Sequence, residues 1–540
     1  MSEATPSPTP SPAPPAGSFA PLRRPVFAVL WAATVLGNTG SFMRDVASAW
    51  LVTDLSASPA AVAAVQAAGM LPIFLLAIPA GVLSDILDRR KFLIFIQIML
   101  GCVSATLMLL SASGLVTVSG LVMLTFVGGI GAALMGPTWQ SIVPELVPRG
   151  ELRSAVALNS LGINIARSIG PAVGGVLLAA FGAAVTYGAD VASYLIVIAA
   201  LLWWKRPANT QDELSEHFGG AFRAGLRYAR SSRELHVVLL RAAVFFAFAS
   251  AVWALLPLVT RQLLAGDAAF YGLLLGSVGV GAIGGALALP MARARLSPDG
   301  LMLAAALATG AASTALAFGP PKGGAVLVLL VMGAAWIVAL TTLNATAQAI
   351  LPNWVRGRAL AVYLTVFNGA MAGGSLGWGF IAQEIGLAAT LWTAAAGLVL
   401  SGLIVHRIAL PRGESDLAPS NHWPEPLLAQ PVPGDRGLVL VLIDYQIARE
   451  DRPAFLKVLE RLSHARRRDG ATSWGVMEDA AEPTLITEWF MVESWAEHLR
   501  QHHRVSHADA DVQQQLRAFH RIERPPVVRH LLAIDARRER

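Results

Sequence analysis

Twelve apolar stretches between residues 25 and 407, each long enough to cross a lipid bilayer, constrain this chain more than any other feature. A spanning helix needs about 20 apolar residues, because each residue advances the chain about 1.5 Å through a hydrocarbon core about 30 Å thick. The stretches fall at 25–53, 59–83, 92–113, 117–138, 154–181, 186–204, 237–263, 270–291, 300–318, 323–346, 359–383 and 387–407. Inside lipid each segment must satisfy its own backbone amides, so these runs are expected to be helices. A mean hydropathy of +0.56, with 55% hydrophobic and 14% charged residues, places the chain among membrane proteins.

The formal charge of +6 and pI near 9.8 could suggest a polyanionic partner. Lys and Arg are instead dispersed over short loops, so no nucleic-acid partner is expected. Arg23/Arg24, Arg89/Arg90/Lys91, Arg149/Arg153, Lys205/Arg206, Arg223 to Arg233, Arg293/Arg295, Arg356/Arg358 and Arg407 all fall on one side of the predicted bundle. Positive residues mark the cytoplasmic side, which places both termini inside a plasma (inner) membrane. The opposite loops carry little beyond Arg261 and Lys322. The single cysteine, Cys102, excludes an intrachain disulfide and reads as a packing residue within an apolar run.

Composition divides the chain further. Residues 1–22 are rich in Pro, Ser and Ala and are expected to be a disordered tail with no signal peptide. Residues 23–204 and 237–408 hold six segments each, separated by a link at 205–236 whose Phe222, Leu226 and Tyr228 among arginines suggest an amphipathic helix on the membrane surface. The halves repeat one another. Gln140-Ser-Ile-Val-Pro144 matches Gln348-Ala-Ile-Leu-Pro352, and Asn164, Gly170, Gly175 and Gly182 match Asn368, Gly374, Gly379 and Gly386 at an offset of 204. The pattern is that of two parallel repeats. After a Pro-rich linker at 409–436, residues 437–534 alternate strand and helix patterns as a small cytoplasmic α+β domain of the ferredoxin-like kind, followed by a tail at 535–540.

Between the second and third segments, Gly81-x-x-x-Asp85-x-x-x-Arg89-Arg90-Lys91 resembles the loop signature of the major facilitator superfamily, with Asp88 where that family prefers glycine. The stretches GPTWQSIVPELVPRGELRSAVALNSLGINIARSIGPAVGGVLL and NWVRGRALAVYLTVFNGAMAGGSLGWG are similar to its enterobactin-exporter-like branch, the transmembrane secretion effectors. The last domain resembles the antibiotic-biosynthesis-monooxygenase-like domain of some members, through FLKVLERLSHARRRDGATSW and ESWAEHLRQHHRVSHAD. The resemblance implies an all-α membrane bundle of 12 transmembrane helices in two parallel six-helix repeats, with a C-terminal α+β domain.

The resemblance also implies a gate. Asp85 would sit near the N-terminus of the eleventh segment, where the helix dipole favours a carboxylate. Arg89 and Arg90 would meet acids or helix C-termini on neighbouring segments, while Asp88 could cap the third segment or pair with Arg149 or Arg153. Within the fifth segment, Gly170-Pro171-Ala-Val-Gly174-Gly175 looks like the Gly-Pro-x-x-Gly-Gly motif of proton-coupled exporters and is expected to form a kinked, tightly packed seam between the halves.

Ionisable residues within membrane segments are costly and default to functional readings. Asn38, Ser41 and Asp45 share one helical face, as do Ser160, Asn164 and Arg167; Asn344 and Asn368 add neutral polar groups. Together Asn38, Asp45, Asn164, Arg167, Asn344 and Asn368 form a candidate proton or substrate site. Asp45 would be the proton-responsive carboxylate, governed by desolvation and by the approach of Arg167 or of substrate; alternatively Arg44 and Asp45 merely end their helix at the interface. Adjacent on the helix, Arg44 and Asp45 point about 100° apart and are not expected to pair. Asp190 reads as interfacial.

In the last domain, His498, His502, His503 and His507 could grip a metal or haem but read better as a solvated helix face, so no metal, cofactor or catalytic residue is assigned. Trp474, Trp489 and Trp495 are candidate core or interface residues for a homodimer formed through this domain. The functional expectation is secondary export of a small solute, such as a siderophore or drug, by alternating access with protons as coupling ion. The alternatives are import, or a membrane-anchored regulatory or enzymatic protein whose last domain senses or acts on a ligand.

Overall fold

A computed structural model describes residues 19–205, 226–352, 354–411, 420, 423, 430–434, 436–521 and 524–534. Among these, eleven helices are long and apolar enough to cross a membrane. They are α1 (Pro25–Leu55), α2 (Pro59–Ile86), α3 (Arg89–Ala112), α4 (Val118–Leu146), α5 (Leu152–Trp203), α6 (Arg233–Leu258), α7 (Ala268–Arg293), α8 (Pro298–Ala317), α9 (Lys322–Ala349), α10 (Arg356–Ile385) and α11 (Leu387–His406). Their starts follow local chemistry. Ser58, Asp88, Thr117, Ser232, Asp267 and Ser297 each accept a hydrogen bond from a backbone N–H of the following helix's first turn. Pro25, Pro59 and Pro298 occupy first-turn positions where no amide partner is lost.

The fifth and sixth predicted segments are two helices that join directly at Gly182 without an intervening loop, and they are labelled together as α5. At Gly182 φ is 81° and ψ is 176°. Gly386, its match in the repeat, has φ 81° and ψ 166° between α10 and α11. Such positive φ favours a residue without Cβ, and one glycine in the same conformation turns the chain at equivalent places in both halves.

The halves meet along two seams of the same construction. A Cβ on Gly175 of α5 would lie 2.7 Å from Cα of Gly272 and 2.8 Å from the carbonyl of Ala268, at the start of α7. In the matching place on α10, Gly379 faces Ala63 and the Pro59 carbonyl at the start of α2. Glycine at both positions lets backbone meet backbone. Cys102 lies on the exposed surface of α3 rather than in the packed interior, a correction to its sequence reading.

The C-terminal domain contains β1 (Val439–Gln446), α12 (Arg452–Asp469), β2 (Ser473–Glu478), β3 (Leu485–Val492), α13 (Trp495–Arg504), α14 (His507–Arg517) and β4 (Val527–Leu532). The sheet has the order β2-β3-β1-β4, and every pairing is antiparallel. Alternate β1 residues Val439, Val441, Ile443 and Tyr445 are buried against Phe455, Leu459 and Leu462 of α12. Trp495 joins this core, Trp474 donates to Glu488, and Trp489 lines a groove on the opposite sheet face with Leu440, Leu442 and Met491.

This domain rests against the bundle. The Arg504 guanidinium lies 4.4 Å from the ring centre of Trp354, between α9 and α10, and Arg227 pairs with Glu497 at 3.3 Å. Tyr228 is 2% exposed and donates to the Ile350 carbonyl at 3.2 Å, so this part of the link faces protein rather than the membrane surface. Phe222 lies outside the described residues.

Candidate transport and gating sites

In the loop between α2 and α3, a carboxylate capping a helix start is followed immediately by two arginines that reach different neighbours. Asp88 accepts the Lys91 amide at 2.8 Å, the first of the two roles considered for it. Arg89 donates to Glu145 at 2.8 Å and to the Ser141 carbonyl at 3.1 Å, both on α4. Arg90 donates to the Leu201 and Leu202 carbonyls at 2.8 Å, closing the C-terminus of α5 where a cation complements the helix dipole. Among the described residues nothing lies within 4 Å of where a Gly81 Cβ would stand, and the Lys91 side chain is exposed. The Asp85 side chain, and with it the expected contact to the eleventh segment, lies outside the described residues. Asp88→Ala is expected to fray the first turn of α3 at a cost of about 1 kcal/mol, seen as faster amide exchange at residues 89–92.

The motif in α5 packs on two sides. A Cβ on Gly170 would meet Phe42 at 2.7 Å and one on Gly174 would meet the Met43 Cα at 2.8 Å, both on α1, while Gly175 meets α7. Pro171 lends its carbonyl to the same seam, 2.6 Å from where a Gly272 Cβ would stand.

The polar residues expected to line one cavity separate into two groups. On the first-half side, the Arg44 guanidinium donates to the Tyr194 hydroxyl at 2.8 Å and to Asp45 at 3.1 Å. It also stands 3.6 Å from Asp190. Asp190 is fully buried and accepts from Ser104 at 2.6 Å and from Ser193 at 3.3 Å. Two expectations are corrected here. Arg44 does pair with Asp45, because the long side chain swings back across the 100° that separates the two Cα–Cβ directions. Asp190 is interior, because α5 runs on unbroken from Gly182 and gives it two helical turns of depth instead of one. The only advance sign was an unpaired acid in an apolar run, with Tyr187, Ser193 and Tyr194 at helical spacing around it.

The second group does not join the first. Arg167 is exposed on α5, and among the described residues no ion pair links it to Asp45, whose side chain is 60% exposed. Asn164 and Asn368 each donate to the carbonyl four residues back at 2.8 Å, the same bond at repeat-equivalent positions. Asn344 accepts from Gln348, and Asn38 is half-buried on α1. Beyond the sequence reading, Arg241 of α6 is buried and binds Asp299 at the start of α8 and the Ile408 carbonyl, tying three segments at the end of the second half.

A family profile described as transmembrane secretion effector matches residues 16–539. A staphyloferrin A transporter of Staphylococcus aureus is 26% identical over 253 residues, which is 46% of this chain and 63% of that protein's own length. The multidrug efflux pump Tap of Mycobacterium bovis is 25% identical over 410 residues, 74% of this chain and 96% of the pump. Among solved structures, a bacterial homologue of the human lysosomal transporter Spinster, inward-facing and unoccupied, aligns with a TM-score of 0.55 at 15% identity, over 72% of this chain and 95% of its own. That likeness shows the bundle to have a major facilitator transporter fold.

Proposed function

The chain belongs to the transmembrane secretion effector family, and from that premise we propose that it exports a small organic solute by alternating access, driven by proton antiport. The relatives matched are a siderophore transporter and a drug efflux pump, which supports substrates of that class. The chain is a multi-pass membrane protein, and we read its orientation with both termini cytoplasmic. At about 1.5 Å per residue α5 would extend about 78 Å, more than twice the bilayer core. Counting it as two spans turned at Gly182 gives twelve crossings. The strand order β2-β3-β1-β4 supports a ferredoxin-like reading of the last domain.

One observation carries the coupling proposal: a buried carboxylate, Asp190, and an exposed one, Asp45, share the Arg44 guanidinium. Protonating Asp45 from the accessible side removes one counter-charge and leaves Arg44 to Asp190. Releasing that proton restores the competition, so proton binding changes where Arg44 is held. Arg167, exposed on the neighbouring face, is a candidate contact for the solute.

The alternation reading rests on which end is tied. At the end of the bundle away from Arg89, Arg261 binds Asp54 at 2.5 Å and Thr53 at 2.9 Å, and Ser58 donates to Gln383 at 3.3 Å. These contacts join the two halves, as do the Gly175 and Gly379 seams. Asp85, Arg89 and Arg90 would then close the opposite end in the other state. Exposed ion pairs contribute about 0.2–1 kcal/mol, so Arg261→Ala should raise the population opened at this end by up to about fivefold. Labelling of a cysteine introduced at Gln383 from the outside measures it.

The decisive experiment is uptake into everted vesicles under an imposed proton gradient, screened across siderophores and antimicrobials. Gradient-dependent accumulation in everted but not right-side-out vesicles is expected; the reverse would make the protein an importer. Removing residues 411–540 is expected to leave transport in place, whereas total loss would favour a sensing or enzymatic role for the last domain.

A further inference from the structure

Three imidazoles converge in the C-terminal domain from elements far apart in sequence. His498 and His502 stand one turn apart on α13, and β4 brings His530 against them. The ring centres of His498 and His502 are 4.8 Å apart, and those of His498 and His530 are 4.7 Å apart. One ligand nitrogen from each of the three lies within 4.8 Å of the others, and the Nε2 atoms of His498 and His502 approach to 3.2 Å. Tetrahedral ligands about 2.0–2.1 Å from a zinc ion are separated by about 3.3 Å, so the pair on α13 already has the spacing and the third requires a small side-chain rotation.

His498 is not on a solvated helix face, which corrects the sequence reading; it is 1% exposed. The bland explanation is that three histidines simply pack beside Trp495, whose ring centre is 5.3 Å from that of His498. That explanation leaves polar atoms unaccounted for. Among the described residues His498 Nδ1 and both amide atoms of the fully buried Gln501 make no hydrogen bond of full geometry, the contact between these two neighbouring side chains being at best a poorly aligned one. Such vacancies are costly in a packed core, and an apolar residue would serve packing better.

A bound cation gives both groups a purpose. When His498 ligates through Nε2, its proton resides on Nδ1, and the Gln501 side-chain oxygen becomes the acceptor that fixes tautomer and ring orientation.

We propose that His498, His502 and His530 form a three-histidine site for a first-row divalent transition-metal ion of the zinc type, with a fourth position open to water or an anion. Uniformly imidazole ligands suit Zn2+, Ni2+ or Cu2+ and disfavour Ca2+ and Mg2+, which take oxygen. His502 and His530 are half-buried, so the site opens toward solvent. Arg466, which adds a positive field at His498, is paired with Glu488 at 3.0 Å. The Glu497 and Arg504 side chains that face the bundle lie roughly 130° round α13 from the two histidines, so ion and docking surface occupy different sides of one helix.

The test uses the full-length protein in detergent, without a histidine tag and stripped of metal by chelator. It is titrated with Zn2+ by calorimetry and with Co2+ by visible absorption. One ion per chain and the intense d–d bands of tetrahedral Co2+ are expected. His502→Gln with His530→Gln, both at half-buried positions, should weaken binding by at least about a hundredfold, and Gln501→Leu by about 10–100-fold. Failure of the unaltered protein to bind either ion overturns the proposal, as does undiminished binding in the double variant. Both readouts are independent of transport.

Discussion

Asp190→Ala is expected to lower the stability of the transporter bundle by about 3 kcal/mol or more, since removing one partner strands a buried charge. Arg44 is only 12% exposed and would keep, as its carboxylate partner among the described residues, only Asp45, whose side chain is 60% exposed. The Ser104 hydroxyl would lose its acceptor at the same time. Asp190→Asn retains the shape and an acceptor for Ser104, so its cost in stability should be smaller while its cost in proton-driven transport remains. The double variant Arg44→Leu with Asp190→Leu removes both charges and is expected to regain much of the stability without regaining transport. Thermal unfolding in detergent and gradient-driven uptake in vesicles read the two effects separately. An Asp190→Ala protein with an unchanged unfolding midpoint would show that the buried pair contributes nothing to the fold.

The second large effect is expected at the seam between the halves. Gly175→Val places a branched side chain where even a Cβ would stand 2.7 Å from the Gly272 backbone. Backbone on both sides cannot move aside as a flexible side chain can, so overpacking of about 1–3 kcal/mol is the minimum expected. The strain is relieved by separating α5 from α7, so transport should fall and the end held by Arg261 and Asp54 should become more accessible. Gly284 provides the control. It lies on the exposed face of α7 with nothing within 4 Å, and Gly284→Ala should be neutral or stabilising by up to about 1 kcal/mol. Equal loss of function in both variants would rule out close approach at Gly175 as the cause.

Much of the architecture was legible because lipid imposes a rule that depends on local sequence alone. A run of apolar residues must satisfy its own backbone, and Ser, Thr, Asp and Pro at its edge mark where it starts. The repeat was equally plain, since Gly182 and Gly386 recur at one spacing and adopt one conformation. The candidate site was legible only in its residue types. Asp190 looked shallow because hydropathy did not show that the helix resumes directly after Gly182, and Arg44 looked unpaired because helical geometry places Cβ atoms, not the end of a long side chain. The histidines of α13 gave half of their cluster at spacing i,i+4; His530 was invisible beside them because it arrives on β4 through sheet pairing.

By itself, then, the sequence determined what each segment must become: which runs enter the membrane, where helices are capped, where glycine turns the chain, and that two similar halves follow one another. These are decided by interactions within a few residues and by the solvent each segment can tolerate. Tertiary structure alone decided which charges share a partner. Arg44 lies between Asp45 and Asp190, Gly175 meets Gly272, and His530 closes on His498. In each case the contact joins atoms whose separation along the chain says nothing about their separation in space, and packing of whole helices and strands brings them together.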